Sequence, residues 1–148
     1  MAQSSFSLLT TRRFLPFFLT QFSGAFNDNL FKTGLTLLTS FYAVRYGGLT
    51  PALASNLIAG LFILPFLLLS ATSGQLADKY DKAAIMRWVK LFELFIVLLA
   101  AYGLLAHHAS VLYLCILLLG THSAVFGPAK YAFLPQALGA KEVVAGNG

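Results

Sequence analysis

Asp28 and Lys32 stand four residues apart near the middle of an apolar stretch spanning residues 14–43, and that placement limits what the chain can become. A charged side chain at the centre of a membrane helix costs about 2.5–3.5 kcal/mol, whereas each Leu or Phe returns about 0.3–0.6 kcal/mol. The thirteen Leu and Phe residues of the stretch therefore roughly cancel the two charges. A lone helix of this composition has little net drive to insert. It is stable only where its polar face meets other helices or a water-filled cavity, which is what a transport pathway provides.

The rest of the chain confirms the solvent. It is 58% hydrophobic and 10% charged, against about 25% charged residues in a soluble domain. The sequence describes an integral membrane protein. Its net charge of +5 does not mark a nucleic-acid partner, because the basic residues cluster at the ends of apolar segments. The single cysteine, Cys115, lies in an apolar run and implies helix packing rather than a disulfide or metal framework. The apolar stretch after Arg12-Arg13 is too long for a cleavable signal peptide and lacks a small-residue cleavage pattern.

A bilayer core requires about 20 apolar residues per helix. Four stretches meet this, at about residues 14–43, 53–76, 84–106 and 111–126. Gly47, Gly48 and Pro51 separate the first two, and Pro65 is expected to kink the second. Gly127-Pro128 is expected to end the fourth, leaving residues 127–148 as a cytoplasmic tail. Arg12, Arg13, Lys79, Lys82, Arg87, Lys90, Lys130 and Lys141 fall on one side of this arrangement, and only Arg45 falls on the other. The positive-inside rule then places the N-terminus, the loop between helices 2 and 3 and the C-terminal segment in the cytoplasm. The ending Gly-Asn-Gly carries no termination feature, so an N-terminal piece of a longer transporter, or a truncated product, is expected.

The loop Gly74-Gln-Leu-Ala-Asp78-Lys79-Tyr-Asp-Lys82 resembles the loop signature of the major facilitator superfamily, Gly-x-x-x-Asp-(Arg/Lys)-x-Gly-(Arg/Lys)-(Arg/Lys). Gly74, Asp78, Lys79 and Lys82 match; Asp81 replaces a glycine and Ala83 a basic residue. The segments from Gln21 to Lys32 and from Phe126 to Gln136 are similar to the lysophospholipid transporter branch of that superfamily. The closest likeness is to the transporter module often fused to a phospholipid acyltransferase and an acyl carrier protein synthetase. The resemblance implies an all-α membrane protein whose four transmembrane helices form the N-terminal part of a twelve-helix fold. It also implies a gating role for the loop, further helices supplied by a C-terminal part, and inward flipping of lysophospholipids, chiefly lysophosphatidylethanolamine. The destination is the cytoplasmic side of a bacterial inner membrane, where an acyltransferase partner reacylates them.

On a helical wheel Gln21, Asp28, Lys32, Thr36 and Thr39 fall within about 80° of one another; Asn29 borders that face and Asn27 points elsewhere. A zwitterionic phosphoethanolamine carries an ammonium and a phosphate close together. Asp28 and Lys32 can answer one charge each, with Asn29 and Gln21 adding hydrogen bonds. The alternatives are a structural ion pair between Asp28 and Lys32 and a coupling role for Asp28 with protons or sodium. Lys90 and Glu93, three apart, are expected to pair, structurally or as part of gating. His122 is either cavity-facing and titratable or hydrogen-bonded to a neighbouring helix. Lys130-Tyr131 fits a membrane interface. His107-His108 lacks further ligands and is expected to be a solvated turn, not a metal site.

No residue spacing supports catalysis, and no cofactor is implied. The expected function is secondary transport by alternating access between inverted three-helix repeats. The competing readings are a small four-helix multidrug exporter and a membrane anchor or scaffold for an acyltransferase.

Overall fold

The computed structural model describes residues 8–12, 14–43, 46, 48–138 and 142, without the side chains of residues 136 and 137. Arg13, Arg45 and Gly47, and from the expected tail residues 139–141 and 143–148 with Lys141 among them, lie outside the described residues. Four helices follow one another: α1 (Leu15–Phe41), α2 (Pro51–Lys79), α3 (Lys82–Leu105) and α4 (Ala109–Ala137).

Each start has a local cause. Pro16 in the first turn of α1 has its backbone angle preset and no amide hydrogen to leave orphaned. Thr50 caps α2 by accepting from the Leu53 amide at 3.4 Å, with Pro51 in the first turn. Asp81 caps α3 by accepting from the Ala84 amide at 2.9 Å. That cap corrects the expected start of the third helix from residue 84 to Lys82. Asp81, one of the two residues that depart from the superfamily loop pattern, is therefore the one that starts the next helix.

The larger correction concerns α4. It does not stop at Phe126 but continues through Gly127, Pro128 and Pro135 to Ala137. Proline removes a backbone hydrogen bond, yet membrane helices tolerate it where neighbours hold the chain. Here Ala129 is fully buried, and Leu134 packs with Leu8, Phe14 and Leu138. Phe133 stacks on Phe17 of α1 at 5.7 Å between ring centroids. Tertiary packing outweighs the local breaking signal.

α4 is the spine of the bundle, packed along α2 and α3, while α1 touches its neighbours more sparsely. Gly120 brings α4 against α2: a Cβ there would overlap the Phe62 carbonyl. Leu112, Cys115, Ile116 and Leu119 of α4 are almost wholly enclosed. The antiparallel order places Arg12, Lys79, Lys82, Arg87 and Lys130 toward one end and His107 and His108 toward the other. At the latter end His107 adopts a positive φ of 55° and its Nδ1 lies 3.2 Å from the Tyr46 hydroxyl, so this turn is tied to the α1–α2 connection rather than only solvated.

Among the described residues, Pro51–Lys79, Lys82–Leu105 and Ala109–Pro135 are long and apolar enough to cross a membrane unaided. α1 has the length, at 27 residues or about 40 Å, but falls short in apolarity. This matches the cancelling energies of its charges and its leucines and phenylalanines.

Two outcomes follow from these contacts. Placed alone in a glycosylation-based insertion reporter, α1 is expected to insert in only part of the molecules, and Asp28→Leu to shift the balance toward insertion by about 3 kcal/mol. Gly120→Val, which must push α2 from α4, is expected to cost about 1–3 kcal/mol in a thermal melt of the purified protein. Gly60→Ala, at a position with open space beside it, is expected to stay within about 0.5 kcal/mol.

Candidate functional site

The inward face of α1 carries Gln21, Gly24 and Asp28, spaced three and four residues apart so that they line up over two turns. Opposite them α4 presents His122, Ser123, Phe126, Gly127 and Lys130, and α3 presents Lys90 and Glu93. These residues, with Phe66 of α2 and Tyr131, surround a cavity of about 290 Å³; Glu93 stands behind it.

A chain of polar contacts runs along its wall. Asp28 Oδ2 accepts from the Ser123 hydroxyl at 2.6 Å. Ser123 Oγ lies 3.5 Å from His122 Nδ1. His122 Nε2 lies 3.3 Å from Glu93 Oε2, and the same carboxylate is bonded by the Lys90 ammonium at 2.5 Å. Asn27 completes the chain by donating to Glu93 Oε1 at 3.4 Å. His122 also stacks on the ring of Phe126, and Lys90 sits 5.1 Å over that ring's centroid. Gly24 makes room for this arrangement, since a Cβ there would stand 2.8 Å from Lys90 Nζ.

Burial gives the site its chemical character. Asp28 is 8% exposed and His122 3% exposed. Among the described residues, Asp28 Oδ1, Gln21 Nε2 and His122 Nε2 are buried without a hydrogen-bond partner, in a wall where such groups are normally satisfied; the 3.3 Å approach of His122 Nε2 to Glu93 is a charge contact, not a hydrogen bond. The residues that hold these atoms, Asp28, Gln21 and His122, line the cavity together with Lys90 and Lys130. A ligand carrying both a cation and an anion has a complement for each.

The sequence-predicted residues divide accordingly. Gln21, Asp28, His122 and Lys130 converge on the cavity, with Glu93 and Asn27 behind it. Lys90 and Glu93 pair as expected. Asp28 and Lys32 do not pair: Asp28 binds Ser123, and Lys32 Nζ sits 3.9 Å from the Phe62 ring centroid, a cation–π contact. Asn29 is exposed and donates to the Ala25 carbonyl at 2.8 Å within its own helix. The loop residues Gly74, Asp78, Lys79 and Lys82 are not part of the cavity wall. Asp78 and Lys79 are exposed, and a Cβ on Gly74 would meet nothing within 4 Å among the described residues, so no close helix approach occurs there.

Sequence reasoning passed over Ser123, Gly24 and Phe126, and placed Tyr131 at the membrane interface rather than in the cavity wall. Only Ser123 left a signal, as the neighbour of His122 in an otherwise apolar helix. Gly24 becomes meaningful only when Lys90 is seen above it. Among the described residues no group of three or more His, Cys, Asp or Glu side chains forms a metal centre.

Comparison with known proteins agrees with this architecture. The lysophospholipid transporter LplT of Photorhabdus laumondii subsp. laumondii is 29% identical over 149 aligned residues, covering 99% of this chain and 34% of that protein. The lysophospholipid transporter LplT of Cronobacter sakazakii is 28% identical with the same coverage. The chain thus spans about a third of the length of these relatives. No solved structure matches it significantly. The family model of the transmembrane secretion effectors, a branch of the major facilitator superfamily, matches residues 49–146. With most of its length in that match, this chain, a multi-pass membrane protein, belongs to the transmembrane secretion effector family of the major facilitator superfamily.

Proposed function

We propose that the chain forms the head-group-binding part of a lysophospholipid transporter in the bacterial inner membrane, with its N-terminus in the cytoplasm. The observation that carries this reading is the buried, unpartnered Oδ1 of Asp28 in a cavity that also holds the ammonium groups of Lys90 and Lys130. The names of its relatives point to the same substrate class.

The geometry supports a definite division of labour. The ammonium of a lysophosphatidylethanolamine head group docks on Asp28 Oδ1. Gln21 Nε2 donates to the phosphate, and Lys130 neutralises it. Lys90 is already committed to Glu93 and acts as a fixed positive wall. Lys32 and Asn29, on the flank of α1 away from the cavity, stand ready for helices of the transporter's second half. Gly74, Asp78, Lys79 and Lys82 serve as a cytoplasmic latch between the halves during alternating access. Delivered lysophospholipid is then a substrate for an acyltransferase on the cytoplasmic side.

The basic residues support the orientation. The end with Arg12, Lys79 and Lys130 is richer in basic residues than the His107 end, and the positive-inside rule assigns that richer end to the cytoplasm.

Labelled lysophosphatidylethanolamine uptake, measured in cells expressing the natural full-length product, tests the site. Asp28→Asn is expected to lower uptake about tenfold or more, the loss appropriate to one charge-assisted hydrogen bond. Lys32→Ala is expected to have the smaller effect. Normal flipping by both variants, at wild-type membrane levels, would eliminate this site. Lys130→Gln is expected to weaken uptake of every phosphate-bearing lysolipid alike, whereas Asp28→Asn acts selectively on heads that carry an ammonium.

A further inference from the structure

A second cavity, of about 470 Å³, opens between α1 and α3, two helices that do not pack closely on one another. Phe17 of α1 and Phe133 of α4, stacked at 5.7 Å, form an apolar wall with Met86 of α3. Arg87 and Lys90 of α3 add two cations. Among the described residues no acidic side chain lines this groove, and Lys90 is the one residue it shares with the head-group cavity.

The two cations are not equivalent. Lys90 is balanced by Glu93. Arg87 donates through Nε to the Ala83 carbonyl of its own helix at 3.3 Å and, among the described residues, forms no ion pair. Its terminal amino groups remain for an outside acceptor, in the fork that fits two oxygens of one phosphate. The wall thus carries one unbalanced positive charge. Arg87 stands one turn and a half into α3, about 8 Å along its axis from Lys82. Its neighbour Trp88 is 73% exposed, and tryptophan gathers at the head-group level of a bilayer. The acceptor at hand on that level is a lipid phosphate, and the apolar wall suits the acyl chain of the same molecule. A free anion would leave that wall without a partner. A zwitterionic lipid would bring an ammonium that meets no carboxylate here. Basic pockets between membrane helices are known seats of anionic lipid heads.

We propose that this groove binds an anionic phospholipid of the surrounding bilayer, in the leaflet at the basic end of the bundle. Arg87 takes two oxygens of its phosphodiester, and Lys90 adds a donor that it does not spend on Glu93. An acyl chain lies along Phe17, Met86 and Phe133. The lipid joins α1 to α3 where the two lack direct packing, so it is a structural ligand and not cargo. The site is independent of the lysophospholipid reading and needs only the placement of the helices in a membrane.

Thermal unfolding of the natural full-length protein in detergent, titrated with phosphatidylglycerol, phosphatidylcholine or inorganic phosphate, tests the site. Phosphatidylglycerol is expected to raise the melting temperature saturably, and the other two to leave it near its starting value. Arg87→Gln is expected to weaken the apparent affinity for phosphatidylglycerol about tenfold. Arg87→Lys is expected to recover part of the loss, because the charge returns without the fork. Ala83→Trp, which fills the groove and keeps both cations, is expected to weaken binding as much as Arg87→Gln. Arg12→Gln, which removes a cation at the same end but outside the groove, is expected to change the affinity by no more than about twofold. Equal stabilisation by phosphatidylcholine, or by phosphate alone, overturns the proposal. So does an equal loss in Arg12→Gln and Arg87→Gln, which reports surface charge in general. The absence of any phosphatidylglycerol effect overturns it as well, and is the result expected where another segment of the natural protein covers the groove.

Discussion

The bundle depends on how it shelters the carboxylates of Asp28 and Glu93. Neither can face lipid: Asp28 is bonded by Ser123 of α4, and Glu93 pairs with Lys90 of its own helix and reaches Asn27 of α1 and His122 of α4. Removing one partner from a buried pair of this kind typically costs about 3–5 kcal/mol. The polar contacts therefore act as a clasp. α1 packs sparsely on the rest and lacks the apolarity of its neighbours, yet it is fastened to α3 and α4 at one level by these side chains. Gly24 is the notch that lets the clasp close, since any larger residue would displace Lys90.

Apolar packing performs the complementary task. α2, α3 and α4 are apolar enough to enter the membrane independently, and they associate through close backbone approach at Gly120 and through the enclosed face of α4. Lipid gives no hydrophobic incentive for helices to associate, so small residues and interhelical hydrogen bonds decide where they meet. The continuation of α4 past Pro128 matters for the site as well as the fold. Had the helix ended at Phe126, Lys130 and Tyr131 would have entered a flexible connection. Instead they continue the wall that begins with His122 and Ser123.

The result is a cavity with graded chemistry. Its carboxylate lies deep and unfilled, and its cationic groups come from α3 and from the extended end of α4. The proposed head-group reading rests on that pairing of opposite charges.

Much of this was legible in residue order. The apolar lengths of three helices and the break before Pro51 are local or additive properties, and each survives in the folded chain. The spacing of Lys90 and Glu93 likewise foretold their pairing, because residues three apart on a helix are neighbours whatever surrounds them. The same argument failed for Asp28 and Lys32. Both had alternatives across helix boundaries, and a serine on α4 and the face of Phe62 on α2 offered better-placed partners. The end of α4 was misjudged for a related reason: proline weakens a helix locally, while Ala129 and Leu134 hold it through contacts that no linear spacing reveals. Sequence alone determined the solvent, the helices and the charges that had to be hidden. Tertiary structure decided which helix would hide each of them, because a buried charge takes the partner nearest in space, and that is set by packing between segments distant along the chain.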